Sequence, residues 1–232
     1  MKTLFKIIVI TSLSTITIAA LAEGCKTTGY QKGDRYFGKT DCQQTVLSQL
    51  TVNGRVDMNQ VLVNSNAVIN GTVEGHDLSV KGSLTVNGNT TLNKVSVAGS
   101  TIIRGQTTLS DTKLQSITVQ GKLNASGSRL ANTTVSGSVN LRDVVIKGTL
   151  TASTDLAVLN GVDVKNILIT KSVPDKSQTV CLEKASVVHG DIKFESEKGA
   201  VYTSGASKIM GKVIGGKVIE GACPSEGEVV VQ

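Results

Sequence analysis

Along most of the chain apolar positions alternate with polar ones over short stretches, as in Leu78-Ser79-Val80 and Val95-Ser96-Val97. That is the period of a strand with one buried face. β-Branched residues dominate, glycine recurs every row, and no stretch sustains a 3.6-residue period, so the pattern predicts strands throughout and no helix.

The alternation is itself periodic. Written in rows of about 17 residues, the chain reads TVNGRVDMNQVLVNSNA from 51, VINGTVEGHDLSVKGSL from 68, TVNGNTTLNKVSVAGST from 85, IIRGQTTLSDTKLQSI from 102, TVQGKLNASGSRLANT from 118 and TVSGSVNLRDVVIKGTL from 134, with a decayed row from Thr151. The fourth column is Gly54, Gly71, Gly88, Gly105, Gly121 and Gly137, which predicts a corner where the backbone takes a positive φ or another strand passes close. Three aliphatic ladders run through the rows. One is Val52, Ile69, Val86, Ile103, Val119 and Val135; a second is Val63, Val80, Val97, Leu114, Leu130 and Ile146; a third, less pure, is Met58, Gly75, Leu92, Leu109, Ala125 and Leu141. Three ladders imply three short strands per coil. The fold expected is therefore all-β, a single-stranded parallel β-helix of about seven coils with about 17 residues each, whose apolar interior is open at top and bottom unless capped. Rows four and five lack one residue near the fifteenth column, where other rows have Gly82, Gly99 and Gly148, which places the deletion at a second corner.

The polar columns have structural readings first. Asn53, Asn70 and Asn87, followed by Arg104, Gln120 and Ser136, predict an axial amide ladder beside the corner glycine, with a ligand stripe as the alternative. Asp77, Lys94 and Asp111 fall in one column, where stacked neighbours about 4.8 Å apart form an alternating charge ladder on a solvated edge. Thr51, Thr85, Thr118 and Thr134 form an outer threonine column broken by Val68 and Ile102, too interrupted for an ice-binding face. Sequons at Asn70, Asn89, Asn124 and Asn132 follow from composition.

The ends differ from the middle. Residues 1–22 carry Lys2 and Lys6 before an apolar stretch that closes on Ala20-Leu21-Ala22, the pattern of a cleaved signal peptide with Glu23 as the mature start. A retained anchor and a lipid on Cys25 are the alternatives. The remaining boundaries expected are 23–46 as a cysteine loop or cap, 47–170 as the solenoid, 171–180 as a linker, 181–223 as further β coils or a cap, and 224–232 as a tail. The four cysteines, Cys25, Cys42, Cys181 and Cys223, lie at the two ends and permit three pairings, of which the two local ones are favoured. No Cys-x-x-Cys and no nearby histidine pair suggests zinc.

Composition narrows function by exclusion. The net charge of +6 includes the signal lysines and is dispersed, which argues against nucleic acid. Aromatics are 3% with no Trp, so stacking platforms are scarce. His76 and His189 stand in unrelated rows, no catalytic elbow, metalloprotease helix or phosphate loop occurs, and no catalytic, metal or cofactor residue is expected.

In their Gly-x-[Val/Ile] rhythm and coil length the rows resemble bactofilins, polymer-forming β-helix proteins of bacteria, over about Leu47 to Thr170 and more weakly Val187 to Glu220. The resemblance implies nucleotide-independent end-to-end self-association into filaments and a role in envelope organisation. The expected function is an exported, non-catalytic, self-assembling protein of the bacterial envelope, periplasmic, surface-exposed or secreted, without a transmembrane segment after signal cleavage. A surface adhesin or module meeting an envelope or host partner is the alternative. A polysaccharide-active enzyme using Asp77, Lys94 and Asp111 ranks third.

Overall fold

Each row closes into one triangular turn because its inward side chains alternate with outward ones on three short runs, and special backbone residues turn the corners between them. In the turn that begins at Val56, face A is residues 56–59, face B is 61–63, and face C is Ala67–Asn70. The computed structural model describes residues 24–171 and 177–224. They form an all-β parallel solenoid of about 11 turns with about 17 residues per turn and no helix. The expected signal segment 1–22, residues 172–176 of the linker and the tail from 225 lie outside the described residues.

The three ladders stack in register as the rows imply. Val52, Ile69, Val86, Ile103, Val119 and Val135 are consecutive partners on face C. Val63 through Ile146 do the same on face B, and Met58 through Leu141 on face A. Nearly all these side chains are fully buried, so the core is a continuous apolar column and each ladder step removes aliphatic surface from water. Gly75 is the one gap in its ladder, and Leu92 leans into it: a Cβ there would stand 3.1 Å from Leu92 Cδ2.

The C-to-A corner explains the invariant glycine. Gly54, Gly71, Gly105, Gly121 and Gly137 have φ between 141° and 155°, and a Cβ on any of them would run into the carbonyl of the glycine one turn below. Conformation and close stacking both demand glycine there. The A-to-B corner is built differently. Gln60, Asp77, Lys94, Asp111 and Asp143 all take φ between 49° and 54°, and Gly127 (φ 58°) holds the same position in its row. The missing residues of rows four and five fall at the B-to-C corner, where the register shifts between Val97 and Ser100 and again between Leu130 and Thr133.

The coil count exceeds the seven expected because both ends continue the stack in sequence that departs from the repeat. Below the first row, Arg35–Phe37 pairs with Leu50–Asn53 and Thr40–Leu47 pairs with Val56–Val63, all parallel. Tyr36 stands under Val52 and Cys42 under Met58, so no aliphatic residue marks either ladder there. At the other end Gln178–Glu183, starting before residue 181, stacks on Leu156–Asn160, and Gly199–Thr203 and Gly216–Glu220 follow. There Phe194 continues the face C ladder above Ile169, and its ring fills space left by Gly199 and Gly216.

Candidate functional site

Three features carry possible chemistry: the polar ladders, a groove on face A, and the two ends. Asn70 Nδ2 donates to Asn53 Oδ1 at 2.8 Å, Asn87 Nδ2 to Asn70 Oδ1 at 2.7 Å, and Arg104 Nη1 to Asn87 Oδ1 at 2.8 Å. The amides are occupied with each other, which is the structural role expected of this column. A second amide device was not apparent in the rows. At the B-to-C corner Asn66, Asn132 and Asn166 each accept a backbone N–H from the turn above, from Ser83, Thr149 and Asp191, at 2.8 to 3.2 Å. Its signal in the sequence is an Asn two to three residues after the face B ladder, masked by the one-residue length changes at this corner.

The charge ladder expected of Asp77, Lys94 and Asp111 does not form. Asp77 pairs with His76 Nδ1 at 2.8 Å, and no ion pair joins Lys94 to either carboxylate. These residues share the left-handed corner conformation, which Asp and Asn tolerate better than most residues, so backbone geometry and not charge selects the column. His189 Nε2 contacts Asp163 Oδ1 at 3.0 Å, far from His76 along the stack. Among the described residues no group of three or more His, Cys, Asp and Glu is placed to hold a metal.

On the outside of face A, Asp57, Glu74 and Thr91 form one wall and Asn59, His76 and Asn93 the other wall of a shallow groove of about 480 Å³. Arg55 bridges the carboxylates, 3.1 Å from Asp57 and 2.8 Å from Glu74; the Asp57 hydrogen bond and both charges push the guanidinium pKa further up. Farther along the same outward column the chemistry changes to Val158, Cys181, Tyr202 and Ile219.

The ends are the most differentiated regions. The cysteines pair locally, Cys25 with Cys42 and Cys181 with Cys223. Cys42 points inward at the foot of the face A ladder and is fully buried, with Cys25 only 6% exposed. Lys26–Thr27 returns antiparallel along the free edge of Thr40–Asp41, and a hairpin joins Gln31–Lys32 to Arg35–Phe37. Tyr36, 3% exposed, closes the face C ladder. Cys181 instead points outward, between the inward Val180 and Leu182, so its bond to Cys223 straps the chain after Gly221 across the outside of face A. The last turn, Lys208–Ile209, Val213–Ile214 and Gly216–Glu220, pairs only with the turn beneath it among the described residues. Met210 is 64% exposed, Val218 51% and Ile214 44%. Among the described residues no helix is long and apolar enough to cross a membrane. No protein-family model, curated protein or solved structure matches the chain.

Proposed function

We propose that the chain is an exported, non-catalytic structural protein of the bacterial cell envelope that associates end to end with copies of itself, a reading its resemblance to bactofilins supports. The observation that carries this reading is the three-ladder stack ending in a coil whose outer strand edges have no partner among the described residues, with Met210, Ile214 and Val218 exposed. Unpaired edges with apolar flanks are templates for further β pairing. Two disulfides fit an oxidising compartment, which supports export.

Sizing and negative-stain microscopy of purified protein lacking residues 1–22 test the assembly, and a strict monomer at high concentration counts heavily against it. Cell fractionation tests export. The face A groove favours a second reading, a binding module that meets an envelope or host partner along its length. Protease accessibility on intact cells separates the two: surface exposure favours the binding module, and protection inside the periplasm favours the scaffold.

A further inference from the structure

Resting on the self-association reading above, we propose that assembly stops at a pair: two copies join through their C-terminal coils about a two-fold axis, and the covered N-terminal end prevents growth into a filament.

The outer edges of the last turn, without a strand partner among the described residues, fit a partner with edges in the same places. A second copy turned about an axis perpendicular to the stack presents the same triangle with its strands reversed, so each edge meets another edge in antiparallel pairing. The interior residues meet as well. With the axis through face A, Val218, half-exposed above Val180 and Val201 on that face, comes to face its equivalent, while Ile209 on face B and Val213 on face C, only partly buried against the core, come toward each other across the two copies. The contact is isologous and consumes the surface that made it.

Continuing beyond the pair would require the other end. There Lys26–Thr27 already pairs with Thr40–Asp41 and Gln31–Lys32 with Arg35–Phe37, the Cys25–Cys42 bond fills the foot of the face A ladder, and Tyr36 closes that of face C, which leaves only the short run 43–47 without a strand beneath it among the described residues. A head-to-tail or head-to-head contact finds no continuous edge.

The last turn carries Lys208, Lys212 and Lys217 against Glu220 alone, so pairing brings like charges together and salt strengthens it. A stable interface buries about 800 Å² per partner, more than a single coil end of about 17 residues supplies. The pair is therefore concentration-dependent and exchanges readily.

Analytical ultracentrifugation over a concentration series, on oxidised protein lacking residues 1–22, tests stoichiometry. An equal mixture of isotope-labelled and unlabelled copies treated with an amine-reactive crosslinker locates the contact. The expected result is a monomer–dimer equilibrium with nothing larger, strengthened by salt, and mixed-isotope crosslinks confined to Lys208, Lys212 and Lys217. A Val218→Asp, Ile214→Glu double variant, altering exposed side chains only, should melt as the parent does and associate at least about tenfold more weakly, as loss of a central apolar contact does. Species beyond the dimer, or crosslinks through Lys26, Lys32 or Lys39, overturn this inference while leaving self-association standing. A monomer under all conditions overturns both. A chain ending at Pro224 that pairs where the longer chain does not also overturns it, by assigning the coil end to residues 225–232.

Discussion

The two ends of the solenoid each carry a disulfide, yet the bonds do opposite work. Cys42 faces into the stack, so its bond to Cys25 plugs the apolar column and anchors the antiparallel strand that pairs with Thr40–Asp41 at the edge of that turn. Cys181 faces out, so its bond to Cys223 ties the chain flat against face A and leaves the last turn's edges as they are. A staple near the end of a repeat stack thus caps it only when it lies over the ladders and edges that the end exposes. The outer column along face A shows the same polarity, from Asp41, Asp57 and Glu74 near the plugged end to Val158, Cys181, Tyr202 and Ile219 near the strapped one.

The largest perturbation cuts the stack between the ends. Gly71→Val puts a β-branched residue at φ 152° with its Cβ against the Gly54 carbonyl, and the strain and displaced contact together cost at least about 3 kcal/mol. A single cooperative unfolding transition should split in two, with hydrogen exchange rising first in the turns before residue 71. If melting stays single and shifts little, the ends are not coupled through this column.

Removing the staples sharpens the comparison directly. Chain entropy assigns about 4 kcal/mol to the Cys181–Cys223 bond and about 3 kcal/mol to the Cys25–Cys42 bond, because the first closes the longer loop. Assembly should rank them the other way. Cys25→Ala with Cys42→Ala opens a second edge and should convert pairs into longer oligomers, seen by negative stain. Cys181→Ala with Cys223→Ala should destabilise more in a denaturant titration while leaving pairs as the largest species.

Most of the fold was legible because ladder residues and corner glycines answer to sequence-local constraints repeated many times. Each of Val52 to Val135 is set by the same inward position, and each of Gly54 to Gly137 by the same corner. The ends were illegible in detail because they obey the geometry with different residues: Tyr36 replaces Val, Cys42 replaces Leu or Met, and Phe194 replaces an aliphatic residue, its ring filling the space beside Gly199 and Gly216. The column of Asp77, Lys94 and Asp111 misled for a related reason. A left-handed corner selects Asp, and charge alternation there is incidental. The local pairing was the favoured one of three because the cysteines cluster at the two ends, and the structure shows it, but whether each bond plugs or straps depends on which way one strand residue points, and that required the register.

A smaller effect separates the halves of the stack. The amide ladder Asn53–Asn70–Asn87–Arg104 stitches the N-terminal turns, whereas the same column higher up is Ser136, Ser153 and Thr170, and the last two bond to backbone carbonyls at 3.4 Å. Asn70→Ala breaks two exposed hydrogen bonds at once and should cost about 1 kcal/mol, read by urea denaturation. The Ser153→Ala change should be close to neutral. Equal losses would mean that the ladder lends no extra stability to the N-terminal half.

The smallest effect at neutral pH, and the most selective for the plugged end, comes from Tyr36. Burial raises the pKa of its phenol, and the negative charge of Asp34 raises it further. A raised acid pKa means that the folded state favours the neutral phenol, so its contribution is complete below the unfolded value of about 10 and is lost as pH climbs through the folded value. The closed end should therefore loosen in strong alkali while the disulfide still holds Cys25 to Cys42. Of the three tyrosines, Tyr30 is 63% exposed and Tyr202 lies near the other end, so an alkaline change in near-ultraviolet circular dichroism that vanishes in Tyr36→Phe reports this site alone. The Phe variant keeps the ring over Val52 and should match the parent's stability at neutral pH, then exceed it in alkali. If both lose near-ultraviolet signal together, Tyr36 ionisation does not control the plug, and closure of that end rests on the disulfide and the Lys26–Thr27 strand.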